Sequence, residues 1–301
     1  MITGASGGIG AALAREMGAG GRRLVLAARR GDELRRVAAE ATALGAPDVA
    51  VVETDVTRRR DVERLRDAAL AKFGRFDVWV NNAGRGITRP VLELTDDDVD
   101  DMIAVNVKSA LYGMQAAVPH FVARGSGHLI NVSSFLGRVP IASVRSVYSA
   151  AKAALNSLTA NLRMDLRTRA PGVHVSLVMP GLVATDFARN AAEGGRSEAG
   201  AGAASARMGR EQRAESREQR ATSRGERAES REQRAGGPAP VAPTSQLRPP
   251  TSMQFQTAEE VALLIAHLIQ NPVAELYTNP ASPEMARRYY ADVAAFEAAL
   301  P

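Results

Sequence analysis

The chain opens Met1-Ile2-Thr3-Gly4-Ala5-Ser6-Gly7-Gly8-Ile9-Gly10 and continues through an alanine-rich stretch to about residue 19. Glycines at this density let a backbone turn sharply and approach a ligand closely. The stretch behind them reads as a helix, whose first N–H groups favour a phosphate. Leu24-Val25-Leu26-Ala27-Ala28 follows, the kind of short apolar run found in strands buried on both faces. Similar runs recur at 49–53, 76–80, 128–132 and 173–178, separated by helical stretches at about 32–44, 60–73, 96–124 (with a bend) and 146–169. This alternation predicts an α/β fold, a doubly wound parallel sheet with helices on both faces. Ligands of such sheets sit beyond the carboxyl ends of the strands.

Composition narrows the function. A 45% apolar fraction over 301 residues suits one domain with a substantial core. No apolar run approaches the ~20 residues of a membrane span, and no signal peptide opens the chain. The absence of cysteine excludes disulfides and thiolate chemistry and fits a cytoplasmic setting. The histidines His120, His128, His174 and His267 lack metal-ligand spacing, so no metal site is expected. The net charge of +5 is concentrated between Phe187 and Gln256, where twelve arginines face eight glutamates. A seven-residue Arg/Glu repeat there offers one alanine per repeat, too few apolar positions for a coiled coil. Residues 190–252 therefore read as a disordered low-complexity insert between a 1–189 catalytic part and a 253–301 remainder of the same domain. Mixed charge without aromatics argues against nucleic-acid recognition. Thr257, with Glu260 three residues on, reads as a helix N-cap. A helix over 258–269, a short strand near 276–277 and a last helix over about 283–300 complete the chain.

Tyr148 and Lys152 stand four apart in a helical stretch, and so on one face. A phenol titrates near ~10, and a fixed ammonium beside it lowers that value toward neutrality. Ser134, fourteen residues earlier, is placed to hydrogen-bond the oxygen that gains or loses the proton; Ser133 is its competitor.

Taken in order, these segments resemble the short-chain dehydrogenase/reductase family, whose fold is Rossmann-like. Thr3-Gly4-Ala5-Ser6-Gly7-Gly8-Ile9-Gly10 is similar to its T-G-x-x-x-G-x-G turn and Asn81-Asn82-Ala83-Gly84 to its N-N-A-G. Pro180-Gly181-Leu182-Val183-Ala184-Thr185 is similar to the loop that clamps the nicotinamide carboxamide. The resemblance implies Asn106, Ser134, Tyr148 and Lys152 as the catalytic set. It implies cofactor contacts at Gly4, Ser6, Gly8, Ile9, Gly10, Asp55, Val56, Asn82, Ala83, Gly84, Tyr148, Lys152, Pro180, Gly181, Val183 and Thr185. It also implies a homodimer or homotetramer.

The second strand ends at Ala28, where NAD binders of this kind place a carboxylate for the ribose 2′-OH. Arg29 and Arg30 follow it, and a guanidinium suits a 2′-phosphate, so NADP(H) is the expected cofactor. The expected activity is an NADP(H)-dependent carbonyl reductase, reversible as an alcohol dehydrogenase, acting on a small-molecule carbonyl or secondary alcohol. Phe135, Val139, Arg85 and Phe187 are expected along its pocket. Two departures stand out. Only Met1 and Ile2 precede the Thr-Gly turn, so the first strand is expected to be truncated and its neighbours to lose a hydrogen-bonding partner. The insert falls where the family carries its substrate cover. A dinucleotide-binding protein with little or no catalysis is the alternative reading.

Overall fold

In the computed structural model of this protein, which describes residues 1–185, 192–193 and 255–300, the strand Leu24–Ala28 is buried along its whole length. Its side chains alternate as strand geometry demands: Leu24, Leu26 and Ala28 enter one apolar layer, Val25 and Ala27 the other. Five apolar residues in a row are needed because both faces of the sheet are covered.

Along the chain the elements are β1 (Ile2–Thr3), α1 (Gly8–Ala19), β2 (Leu24–Ala28), α2 (Gly31–Ala43), β3 (Val49–Glu53), α3 (Arg59–Phe73), β4 (Val78–Asn81), β5 (Ile87–Thr88), α4 (Asp96–Ile103), α5 (Ser109–Arg124), β6 (Gly127–Val132), α6 (Ser146–Arg169), β7 (Val173–Met179), β8 (Val183–Ala184), β9 (Ala192–Glu193), β10 (Gln256–Thr257), α7 (Ala258–Gln270), β11 (Glu275–Tyr277), α8 (Ser282–Ala291) and α9 (Val293–Ala298). Seven strands form one parallel sheet in the order β11-β7-β6-β4-β1-β2-β3. Leu13, Leu34, Val37, Val261 and Ile265 of α1, α2 and α7 cover one face. Val62, Leu65, Phe121 and Leu155 of α3, α5 and α6 cover the other. The order reverses between β1 and β4, so the turns leaving these strands diverge and open a crevice, as in Rossmann-like sheets.

β1 is short, as expected, yet it still pairs on both sides. Ile2 is in register with Leu26 on one side and Val80 on the other. The Met1 nitrogen donates to Val78 O at 2.8 Å, and Met1 O accepts from Val80 N at 2.9 Å. β2 keeps this partner at Leu26 and Ala27, and β4 at Val80.

The bend expected within 96–124 is a π-helical turn, Ala104–Lys108, between α4 and α5. The Thr257–Glu260 capping box is present at the start of α7. The last predicted helix is instead two, because Asp292 leaves helical geometry (φ −157°, ψ 97°) and its side chain caps α9. Phe187 and the 190–252 insert lie outside the described residues, β9 excepted. β9 pairs with β5, and β10 with β8. No described helix is long and apolar enough to cross a membrane.

Candidate active site

The turn after β1 is built around Thr3. Its hydroxyl donates to Val80 O at 3.2 Å and accepts from Asn82 N and Ala83 N at 3.0 and 3.1 Å. Asn82 Nδ2 returns bonds to Thr3 O and Gly4 O at 2.9 and 3.3 Å. The two turns flanking the crevice are thereby tied together. Gly4 and Gly8 take positive φ, 65° and 53°, and a Cβ on Gly10 would lie 2.4 Å from Gly4 O. Ile9 packs into the layer beneath. α1 has Gly7 as its N-cap, with no side-chain cap and no acidic residue in its first turn. Its leading N–H groups are thus available to an anion.

Arg30, at the end of β2, closes one side of this turn. Its Nη2 donates to Ser6 Oγ at 3.1 Å and to Ser6 O at 3.3 Å, and a Cβ on Gly7 would lie 3.2 Å from that nitrogen. The side chain remains 58% exposed, with Glu33 at 4.0 Å from its Nε, so Nη1 is left for a ligand. Arg29 makes no bond to the turn; its charge acts on Asp55. Burial pushes the Asp55 carboxyl up, but hydrogen bonds from Thr57 and the charges of Arg29 and Arg58 outweigh it, and the net shift is downward. Val56 is buried beside it.

Opposite, a Cβ on Gly8 would meet Thr185 Cγ2 at 3.4 Å, so the turn and this loop form two walls of a cradle. Pro180 O accepts from Phe135 N at 2.8 Å, Gly181 packs on Asn279, and Val183 is held in register with Gln256. A Cβ on Gly84 would stand 3.0 Å from Asn106 Oδ1 and 3.4 Å from Lys152 Nζ. Glycine there keeps open the space in front of both groups. The chemistry of this lining fits an NAD(P) dinucleotide: uncapped N–H groups for a diphosphate at the start of α1, and a part-exposed guanidinium at Arg30. No group of three or more acidic or histidine side chains among the described residues could hold a metal.

The π turn sets Asn106. Its Nδ2 donates to Arg85 O at 2.9 Å and to Met102 O at 3.2 Å, and its Oδ1 accepts from Arg85 N at 3.3 Å.

Of the two serines, Ser134 is the one hydrogen-bonded to Tyr148. Ser133 donates to Asn156 Oδ1 at 2.5 Å, and Asn156 Nδ2 donates to Gly137 O at 3.0 Å. Ser133 and Asn156 thus clamp the serine loop onto α6. A three-residue 3-10 turn, Phe135–Gly137, occupies part of the fourteen-residue gap between Ser134 and Tyr148.

Burial pushes the Tyr148 phenol up to about 12, against the Ser134 hydrogen bond and the Arg145 charge, which both pull it down. Lys152 is also buried, and burial brings it down to about 8. Its Nζ donates to Val132 O at 3.1 Å and lies 5.7 Å from the Tyr148 ring centroid. The expectation that Lys152 makes the phenol acidic is therefore corrected. The ammonium is anchored to the sheet, and desolvation dominates at the phenol. A neutral phenol held by a serine hydroxyl is equipped to give a proton.

Phe135 and Val139 are buried against Met285, Ala286 and Phe296 and so belong to the core under α8 and α9, not to a pocket. Arg85 is ion-paired to Asp101 at 2.5 Å. Sequence reasoning missed Arg145, Asn156 and the three-way role of the Thr3 hydroxyl, none of which has a spacing signal.

The sequence profile described as short chain dehydrogenase matches residues 1–195. An uncharacterized oxidoreductase of Staphylococcus aureus (strain N315) is 38% identical over 185 residues, 62% of this chain and 78% of that protein. A short-chain dehydrogenase/reductase from Burkholderia phymatum, solved with NAD, superposes with a TM-score of 0.73 at 28% identity, covering 98% of this chain and 93% of the other. A metagenomic short-chain oxidoreductase, solved with NADP, gives 0.56 at 39% identity over 60% of this chain and 80% of its own.

Proposed function

This chain belongs to the short-chain dehydrogenase family and is an oxidoreductase of that family; from that premise we propose that it is an NADP(H)-dependent carbonyl reductase, reversible as an alcohol dehydrogenase. The observation that carries the reading is the buried Tyr148 phenol, hydrogen-bonded by Ser134 one helical turn from Lys152.

Held by the opening turn, Arg30 and Lys152, the dinucleotide would supply the hydride that reduces the carbonyl carbon. Tyr148 gives its proton to the carbonyl oxygen, and Ser134 hydrogen-bonds the same atom. An alkoxide is a far stronger base than a phenolate, so a phenol near 12 is still acid enough to complete the transfer downhill. Lys152 and Asn106, facing the space that Gly84 leaves open, hold the nicotinamide ribose and the proton path back to solvent. Arg30 takes the 2′-phosphate, which favours NADP(H) over NAD(H). Assembly as a homodimer or homotetramer, in the cytoplasm, belongs to the same proposal.

The test is a panel of ketones and aldehydes incubated with the full chain and either NADPH or NADH, followed by nicotinamide absorbance. Substrate-dependent oxidation, faster with NADPH, is the expected result. Tight binding of NADPH with no oxidation by any carbonyl would replace the enzyme reading with that of a dinucleotide-binding protein.

A further inference from the structure

Three arginines stand along the wall formed by β5 and the start of α6. Two are neutralised by acids of α4: Arg85 by Asp101 at 2.5 Å and Arg89 by Asp98 at 2.8 Å. Arg145 is different. Among the described residues no carboxylate lies within ion-pair distance of it, although the chain supplies acids to both neighbours.

Arg145 is nonetheless firmly held. Its Nη1 donates to Ile87 O at 3.3 Å. On either side of it, Val144 O accepts from Arg89 N at 2.7 Å and Ser146 Oγ donates to Arg89 O at 2.9 Å. The residue is half-buried. It is the N-cap residue of α6, three positions before Tyr148. Its charge reaches the phenol, where it acts against burial. A guanidinium presents five donors in a planar fork, and only one of these is taken by Ile87. An anchored cation with spare donors, beside the group that meets a carbonyl oxygen, matches an anion carried by the substrate itself.

We propose that Arg145 selects oxo acids, carbonyl substrates with a carboxylate a few bonds from the reacting carbon, by taking that carboxylate on its guanidinium. This rests on the reductase reading given above.

The experiment compares 2-, 3- and 4-oxo acids with their methyl esters as substrates for the full chain and NADPH, in the natural protein and in Arg145→Met and Arg145→Lys. A charge-assisted hydrogen bond makes the acid-to-ester ratio of kcat/KM about 10- to 100-fold for at least one chain length. In Arg145→Met the ratio falls to near one through KM, and Arg145→Lys retains part of it. Turnover of the esters with no preference for the acids in the natural protein overturns the assignment and leaves the reductase reading standing. So does an equal loss on acid and ester in Arg145→Met, accompanied by an upward shift of the pH profile; Arg145 then acts on Tyr148 alone. No turnover of any carbonyl overturns both readings.

Discussion

The ammonium of Lys152 donates to the carbonyl oxygen of Val132 at 3.1 Å, fastening the middle of α6 to the carboxyl end of β6. The two groups have opposite protonation problems. Burial lowers Lys152 to about 8 and raises Tyr148 to about 12, so near neutrality the cation and the neutral phenol coexist.

The pH dependence of the two directions follows. Carbonyl reduction needs the phenol and the ammonium, so kcat is flat from pH 6 to about 8 and declines above it as Lys152 loses its proton. Alcohol oxidation in the same proposal needs the phenolate, and with the phenol near 12 its rate climbs with pH across the whole range from 6 upward. Rate profiles in both directions at saturating cofactor check this; parallel profiles would contradict it.

The proposed preference for NADP(H) rests on Arg30, whose guanidinium lies on Ser6 beside the opening turn. Arg30→Ala weakens NADPH binding about 10- to 100-fold and NADH binding by less than about threefold, because only the former presents a 2′-phosphate. Titration of nicotinamide fluorescence reads both.

Gly113 lets α5 lie against a buried polar chain. Trp79 Nε1 donates to Asn81 Oδ1 at 2.7 Å, Asn81 Nδ2 to Asn131 Oδ1 at 2.8 Å, and Asn131 Nδ2 to Thr159 Oγ1 at 2.9 Å. A Cβ on Gly113 would fall 2.0 Å from Asn81 Oδ1 and 2.7 Å from Trp79 Nε1. Gly113→Ala therefore costs roughly 2 kcal/mol or more, through overpacking and broken buried hydrogen bonds. Urea unfolding followed by the fluorescence of Trp79, the sole tryptophan, measures it.

Long periodic segments were legible without coordinates. α6 spans Ser146–Arg169 as its periodicity predicts, and β2 shows its double burial in five consecutive apolar residues. Two-residue strands such as β5 and β8 have no period to detect and exist only through their partners. Spacing also placed an amine one turn from a phenol, but not which acceptor that amine takes. Val132 is twenty residues from Lys152 in sequence, and the balance between charge and desolvation at Tyr148 depends on a burial that spacing does not encode. Arg145 was invisible for the same reason, since its anchor at Ile87 is 58 residues away.

His128 is set for acid sensitivity. It is buried between β4 and β7 with Nε2 2.8 Å from Ser176 Oγ. Burial, reinforced by the neighbouring charge of His174, lowers it to about 4. The unfolded chain binds this proton near 6.5 and the folded chain only near 4, so stability is intact above 6.5 and lost as pH falls toward 4. The loss attributable to this side chain is about 3 kcal/mol. His128→Gln keeps a polar group toward Ser176 and removes the titration. Comparing urea unfolding at pH 7 and pH 4.5, the variant should lose less stability than the natural protein by roughly that amount.

Deleting one oxygen removes the proposed proton donor. Tyr148→Phe, assayed for carbonyl-dependent NADPH oxidation alongside an NADPH binding titration, should bind the cofactor within about threefold of the natural protein while turnover drops by about 10²- to 10⁴-fold. Turnover within tenfold of the natural protein, with cofactor binding intact, would contradict the assignment of Tyr148 as the group that protonates the substrate oxygen.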